Sequence, residues 1–137
     1  MTFLVDANVL SEPTKPRPNL VVVNWLRAHN SDLAVNPIIL GELELGILLL
    51  PAGRRRARLL DWFDQGAARM RALDIDRETA GAWANLVASL RRKGRRTIPV
   101  ADSLIAATAI QHGLVVATRN VAHYRNCGVE VVNPFDE

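Results

Sequence analysis

Apolar and polar positions along the chain fall into two rhythms, one of strands and one of helices. Thr2 to Val5 is a short apolar and β-branched run that stops at Asp6, which predicts a buried first strand. Pro13, Pro16 and Pro18 forbid regular structure up to about Asn19, so a loop is predicted there. Leu20 to His29 then has helical spacing with Trp25 and Leu26 on the apolar side, and Asn30-Ser31-Asp32 breaks it. Leu33 to Val35 reads as a second strand. Asn36-Pro37 is an N-cap followed by proline at the first helical position, and the helix it opens reaches about Leu50, where Pro51 and Gly53 stop it. Arg54 to Met70 restarts a helix with Leu59, Leu60, Trp62 and Phe63 as its buried side. Ala72 to Ile75 predicts a brief third strand. Asp76 with Thr79 opens a helix that runs to about Lys93, and Gly94 supplies its left-handed stop. Pro99 starts the next helix, which ends at Gly113. Leu114 to Thr118 is a strongly β-prone strand, Val121 to Tyr124 a short helical turn, and Val129 to Val132 the last strand.

Strands separated by helices imply right-handed crossovers and a parallel sheet covered on both faces. The α/β chain of 137 residues is expected to form one domain over residues 1–137. In such sheets sites form beyond the carboxyl ends of strands, where strand order reverses.

Composition removes several alternatives. The apolar stretch Pro37 to Leu50 is too short for a membrane span and carries Glu42 and Glu44, while Asp6 interrupts the apolar start of the chain. A soluble, cytoplasmic protein is the expectation. Cys127 is the single cysteine and the three histidines lack zinc spacing, so a metal would have to be bound through oxygen. Net charge is only +3, but arginines cluster at 54, 55, 56 and 58, and basic residues again at Arg91, Arg92, Lys93, Arg95 and Arg96. Solvated helix faces and phosphate contacts explain these clusters equally well.

Three of the fourteen carboxylates stand in apolar surroundings, where unpaired charge is expensive. Asp6 follows Phe3-Leu4-Val5, Glu42 lies in Ile38-Ile39-Leu40-Gly41-Glu42-Leu43, and Asp102 lies in Ile98-Pro99-Val100-Ala101-Asp102. The predicted elements bring all three to one sheet edge. Carboxylates gathered without lysines repel one another, and a hard divalent cation such as Mg²⁺ or Mn²⁺ relieves that repulsion. Taken singly, Asp102 reads equally as a helix cap and Asp6 as a turn residue. Asn120 follows the late strand in Thr118-Arg119-Asn120 and is either a binder of phosphate or of a metal's water, or a turn residue. Asn8, Ser103 and Thr118 are candidate supporting donors and equally local backbone bonders. His123 is a candidate phosphate-orienting group or an inert surface histidine.

These residues carry a resemblance. The runs Leu4-Val5-Asp6-Ala7-Asn8-Val9-Leu10-Ser11-Glu12, Gly41-Glu42-Leu43-Glu44-Leu45-Gly46, Pro99-Val100-Ala101-Asp102-Ser103-Leu104-Ile105-Ala106-Ala107-Thr108-Ala109, Ala117-Thr118-Arg119-Asn120 and Asn133-Pro134-Phe135 resemble, in order and spacing, the PIN-domain toxins of the VapC and FitB type. The resemblance implies a PIN fold: a three-layer α/β/α sandwich around a central, mainly parallel five-stranded sheet. It also implies Mg²⁺- or Mn²⁺-dependent endoribonuclease activity on RNA and a homodimer, with a heterotetramer or larger assembly formed with a small antitoxin. The antitoxin's C-terminal segment would block the acidic groove, often with an arginine, while its other end binds operator DNA. The family's three acids fall on Asp6, Glu42 and Asp102. At the fourth position stands Asn120, and three residues on His123 replaces an acid often seen there, departures that make one metal the expectation rather than two.

The mechanism this implies is hydrolysis of an RNA phosphodiester by a metal-activated water, with Asp6 and Asp102 as direct ligands and Glu42 as third ligand or proton acceptor. A phosphatase of the haloacid-dehalogenase type would want an aspartate where Asn8 stands and a late catalytic lysine, and a receiver domain a lysine beyond the late strand. The chain has no lysine after Lys93. The remaining competitor is a catalytically idle PIN module that only binds RNA or an antitoxin partner. Trp25, Trp62, Trp83 and the apolar surplus of Leu45 to Leu50 are read as core, with a dimer seam or antitoxin groove as the further use.

Overall fold

A computed structural model describes residues 2–94 and 98–136; Arg95 and Arg96, singled out above, lie outside the described residues. The chain begins with β1 (Phe3–Val5), whose exit residue Asp6 caps the single turn α1 (Ala7–Leu10). A 3₁₀ turn, Glu12–Thr14, follows. Sequence reading predicted only a loop here. The turns form because the Asp6 carboxylate accepts from Ala7 N at 2.8 Å and Pro13 is tolerated in a first turn.

α2 (Leu20–Ala28) is capped by Asn19 and buries Val22 and Trp25, and the Trp25 ring packs edge-on against Phe3 of β1 at 4.9 Å. After β2 (Leu33–Ala34), the predicted Asn36 cap holds α3 (Pro37–Leu48), accepting from Ile39 N at 2.9 Å. Ile39, Leu43 and Ile47 form its buried stripe at four-residue spacing. α4 (Arg54–Gln65) buries Phe63 and gives way to a 3₁₀ turn, Ala67–Arg69, at Gly66. Asp76 and Thr79 form a reciprocal capping box on α5 (Arg77–Arg92), and Gly94 beyond it takes a left-handed φ of 64°. α6 (Val100–His112) closes on Gly113 at φ 66°. Its run Ile105 to Ala109 is entirely buried, and three alanines within it let neighbouring elements approach closely. β3 (Val115–Ala117), a 3₁₀ turn Val121–Tyr124, β4 (Val131–Val132) and a last 3₁₀ turn, Pro134–Asp136, complete the described chain.

All strand pairs are parallel and the order is β2-β1-β3-β4. Leu4 and Val5, neighbours that point to opposite faces, are both fully buried, as are Val116 and Ala117, so helices cover the sheet on both sides. The predicted five-strand sheet has four strands among the described residues. The segment predicted as strand from Ala72 contributes one bridge, Val35 to Ala72, flanked by two backbone hydrogen bonds. Asp74 and the Asp76 cap turn the chain away before a ladder can extend. The strand order reverses at β1: β2 lies on one side, and the later strands β3 and β4 on the other. Asp6 and Thr118 leave the sheet together at this switch point, because Val5 is in register with Ala117.

Candidate active site

Asp6 is the most constrained polar group at that edge. Only 4% exposed, it accepts from Ala7 N and, at 2.8 Å, from the Thr118 hydroxyl. Thr118 in turn accepts from Asn120 N at 3.0 Å and from the Asn8 amide at 3.3 Å, while Asn8 accepts from Arg119 N at 3.1 Å. Asn8 and Thr118 thus tie the two strand exits together around one carboxylate. Ser103 does something else. Its hydroxyl donates to Val100 O at 2.6 Å and accepts from the Trp83 indole at 2.8 Å, fastening α5 to the first turn of α6. That first turn carries Asp102, near a helix N-terminus that favours a negative charge.

Glu42 sits half-buried on the second turn of α3. Burial pushes its carboxyl above the ordinary range, and the charges of Asp6 and Asp102 push it further. Burial likewise raises Asp6; the Thr118 and Ala7 hydrogen bonds oppose the shift, and Asp102 adds to it. The three acids brought to one edge by the fold therefore share one another's field. Among the described residues none of them is paired with a lysine or arginine. The Arg119 guanidinium instead lies over the Phe135 ring, 4.5 Å from its centroid.

Sequence reasoning missed one contact and one buried group. His123 Nδ1 stands 2.7 Å from Asp102 Oδ2, so this histidine is engaged with one of the three acids. Tyr124, the next residue, is 1% exposed, and its hydroxyl is buried with no hydrogen-bond partner. Such a group costs about 1–3 kcal/mol relative to a paired one. The signal for both was their place on the short turn after Asn120. Asn120 itself opens that turn with its side chain exposed and capping nothing.

Among the described residues no three His, Cys, Asp or Glu side chains stand together closely enough to hold a metal ion between them. The donor set nonetheless suits a hard divalent cation: three carboxylates, none paired with a lysine or arginine among the described residues and one in contact with the His123 imidazole, beside an orphaned hydroxyl. Mg²⁺ keeps several waters and needs only one or two direct carboxylates, so an open arrangement fits it better than a cage. A groove of about 290 Å³ leads from Glu42 between α1, α3 and α4, lined also by Lys15, Arg55 and Trp62. A larger cavity of about 770 Å³ contains none of the three acids.

Fold and site together define a three-layer parallel α/β domain with an acidic centre at its topological switch point. The PIN domain family matches residues 3–129, and the chain belongs to it. It is 36% identical over 139 residues to the toxin FitB of Neisseria gonorrhoeae, covering 98% of this chain and 99% of that protein. It is 34% identical over 138 residues to the VapC ribonuclease Y4jK of Sinorhizobium fredii, covering 98% of each. Among solved structures, FitAcB from N. gonorrhoeae superposes with a TM-score of 0.89 at 36% identity, covering 99% of this chain and 100% of the other. DNA-bound VapBC from Salmonella typhimurium follows at 0.83 and 25% identity, covering 98% of each.

Proposed function

We propose that the chain is the toxin of a type II toxin–antitoxin pair and acts as an endoribonuclease dependent on Mg²⁺ or Mn²⁺. The single observation that carries the reading is the gathering of Asp6, Glu42 and Asp102 at the switch point, where the charges of Asp6 and Asp102 act on Glu42 and, among the described residues, no lysine or arginine pairs with any of the three. Relatives named as a ribonuclease and a toxin support it.

Asp6 and Asp102 would hold the cation. When bound, it supplies Lewis acidity that makes water a nucleophile near neutral pH and offsets charge gathering on the phosphate. Glu42, whose proton affinity is already raised, accepts the proton of the attacking water at a carboxylate oxygen. Thr118 and Asn8 hold Asp6 in one orientation, so its charge does not have to be reorganised as the phosphate reacts. Lys15 and Arg55 line the approach, where they orient the RNA backbone.

Partner binding belongs to the same reading. Leu45, Leu48 and Leu49 are 56%, 45% and 76% exposed on and just beyond α3, an apolar surface suited to a second copy of the chain or to an antitoxin segment. Among the described residues no helix is long and apolar enough to cross a membrane.

The test is cleavage of defined transfer and ribosomal RNAs by purified protein. Wild type should cleave with Mg²⁺ or Mn²⁺ and stop with EDTA, and Asp6→Ala and Asp102→Asn should each lose at least about a hundredfold in rate, as expected when a metal's ligand is lost. Cleavage that survives both EDTA and Asp6→Ala would overturn the reading. Wild type that binds RNA without cutting it would favour the idle module, for which the His123 contact on Asp102 is the one supporting observation.

A further inference from the structure

Tyr124 ends the turn that begins at Val121, one residue after the imidazole that engages Asp102. Its ring is fully enclosed, which a phenylalanine would achieve equally well, and its hydroxyl has no partner. The surroundings are not neutral. The charges of Asp6, Asp102 and Glu42 all act on this hydroxyl and, with burial as the larger cause, keep the phenol protonated far above its ordinary range. The Cys127 thiol nearby is also held protonated, by burial first and by Asp102 second. Tyr124 is therefore a permanent, uncharged O–H donor beside a site made of acceptors. A native structure seldom leaves such a donor unused in every state it visits.

We propose that the Tyr124 hydroxyl is a positioning group for the loaded site: it donates to a carboxylate of the acid cluster once a divalent cation draws those carboxylates together. The proposal rests on the cation reading given above. In the metal-free protein the acids repel and the donor stands unpaired; with the charge compensated, an acid oxygen comes within its reach. Cation affinity in this chain then depends on a phenol that is not itself a ligand.

The chain has one tyrosine, which makes the donor directly observable. Ultraviolet resonance Raman spectra of the full chain should show the tyrosine signature moving from unpaired to hydrogen-bond donor as Mg²⁺ is titrated. Tyr124→Phe should unfold, in EDTA, at a temperature equal to or above wild type, because it removes only an unpaired hydroxyl. The same variant should bind Mn²⁺ about tenfold more weakly by electron paramagnetic resonance titration, the effect of one hydrogen bond to a charged acceptor. A tyrosine signature unmoved by a cation that does bind, or a Tyr124→Phe variant of unchanged Mn²⁺ affinity, overturns the proposal. Wild type that binds neither cation overturns the cation reading itself, and the role of Tyr124 with it.

Discussion

Glu42 shows at the scale of one residue how function is held against stability. Its folded-state proton affinity is raised, by burial first and by Asp6 and Asp102 after it. Between the ordinary carboxylate range and the raised value, the folded chain binds more protons than the unfolded chain, so metal-free stability from this residue falls as pH rises. Cation binding runs the other way over the same window, since it needs the proton gone. Glu42→Gln should therefore match wild type at pH about 4 and become more stable above the window, by about 2 °C at most, since solvent screens this half-buried group. Thermal unfolding in EDTA across pH checks this. The same variant should lose RNA cleavage, and a variant less stable than wild type at neutral pH would contradict the electrostatic picture. Asp6 shares the raised direction, whereas Glu12, bonded to Asn19 N and Lys15, is lowered and contributes stability lost as pH falls. Comparing the single variant with wild type removes that opposing background.

Elements matter through the joints between them, and one joint spans the site. Asn36 is wholly buried; its oxygen caps α3, which carries Glu42, and its amide donates to Thr108 Oγ1 at 3.1 Å on α6, which carries Asp102. Asn36→Ala should cost about 2 kcal/mol in chemical denaturation, combining a lost cap with a lost buried hydrogen bond. Thr108→Val leaves the Asn36 cap in place and removes the acceptor of that bond without adding charge, so its cleavage rate reports on the α3–α6 joint. The cap was legible from Asn36-Pro37 because its chemistry is local; the bond to Thr108 was not, because it joins positions 72 apart. The same division runs through the whole reading. Helix ends at Asp76, Gly94 and Gly113 followed from single residues with local preferences, whereas the fifth strand failed because pairing at Ala72 depends on where the chain turns next. Asp6, Glu42 and Asp102 were legible as acids in apolar runs. The contact of His123 with Asp102 and the burial of Tyr124 were not, since a short turn says nothing of which side chains of other elements it meets.

For the molecule as a whole, the question is how a chain of net charge +3 would gather RNA around an acidic centre. Long-range attraction from so small a charge is weak, which leaves the work to local patches. Arg54 and Arg55 are exposed in the first turn of α4, where no acid stands and where the helix dipole disfavours cations. A face chosen for stability would carry the opposite sign there, and Arg55 shares the groove with Glu42. Replacing both arginines with serine should raise the unfolding temperature slightly while weakening RNA binding, two effects of opposite sense. The slope of log affinity against log salt should flatten by about 1.4, two contacts at roughly 0.7 each for a single strand. Fluorescence anisotropy with RNA and the Asp102→Asn chain, at several salt concentrations, measures that slope without cleavage. A slope unchanged by the double substitution would reduce the cluster to a solvated helix face and move the substrate path elsewhere.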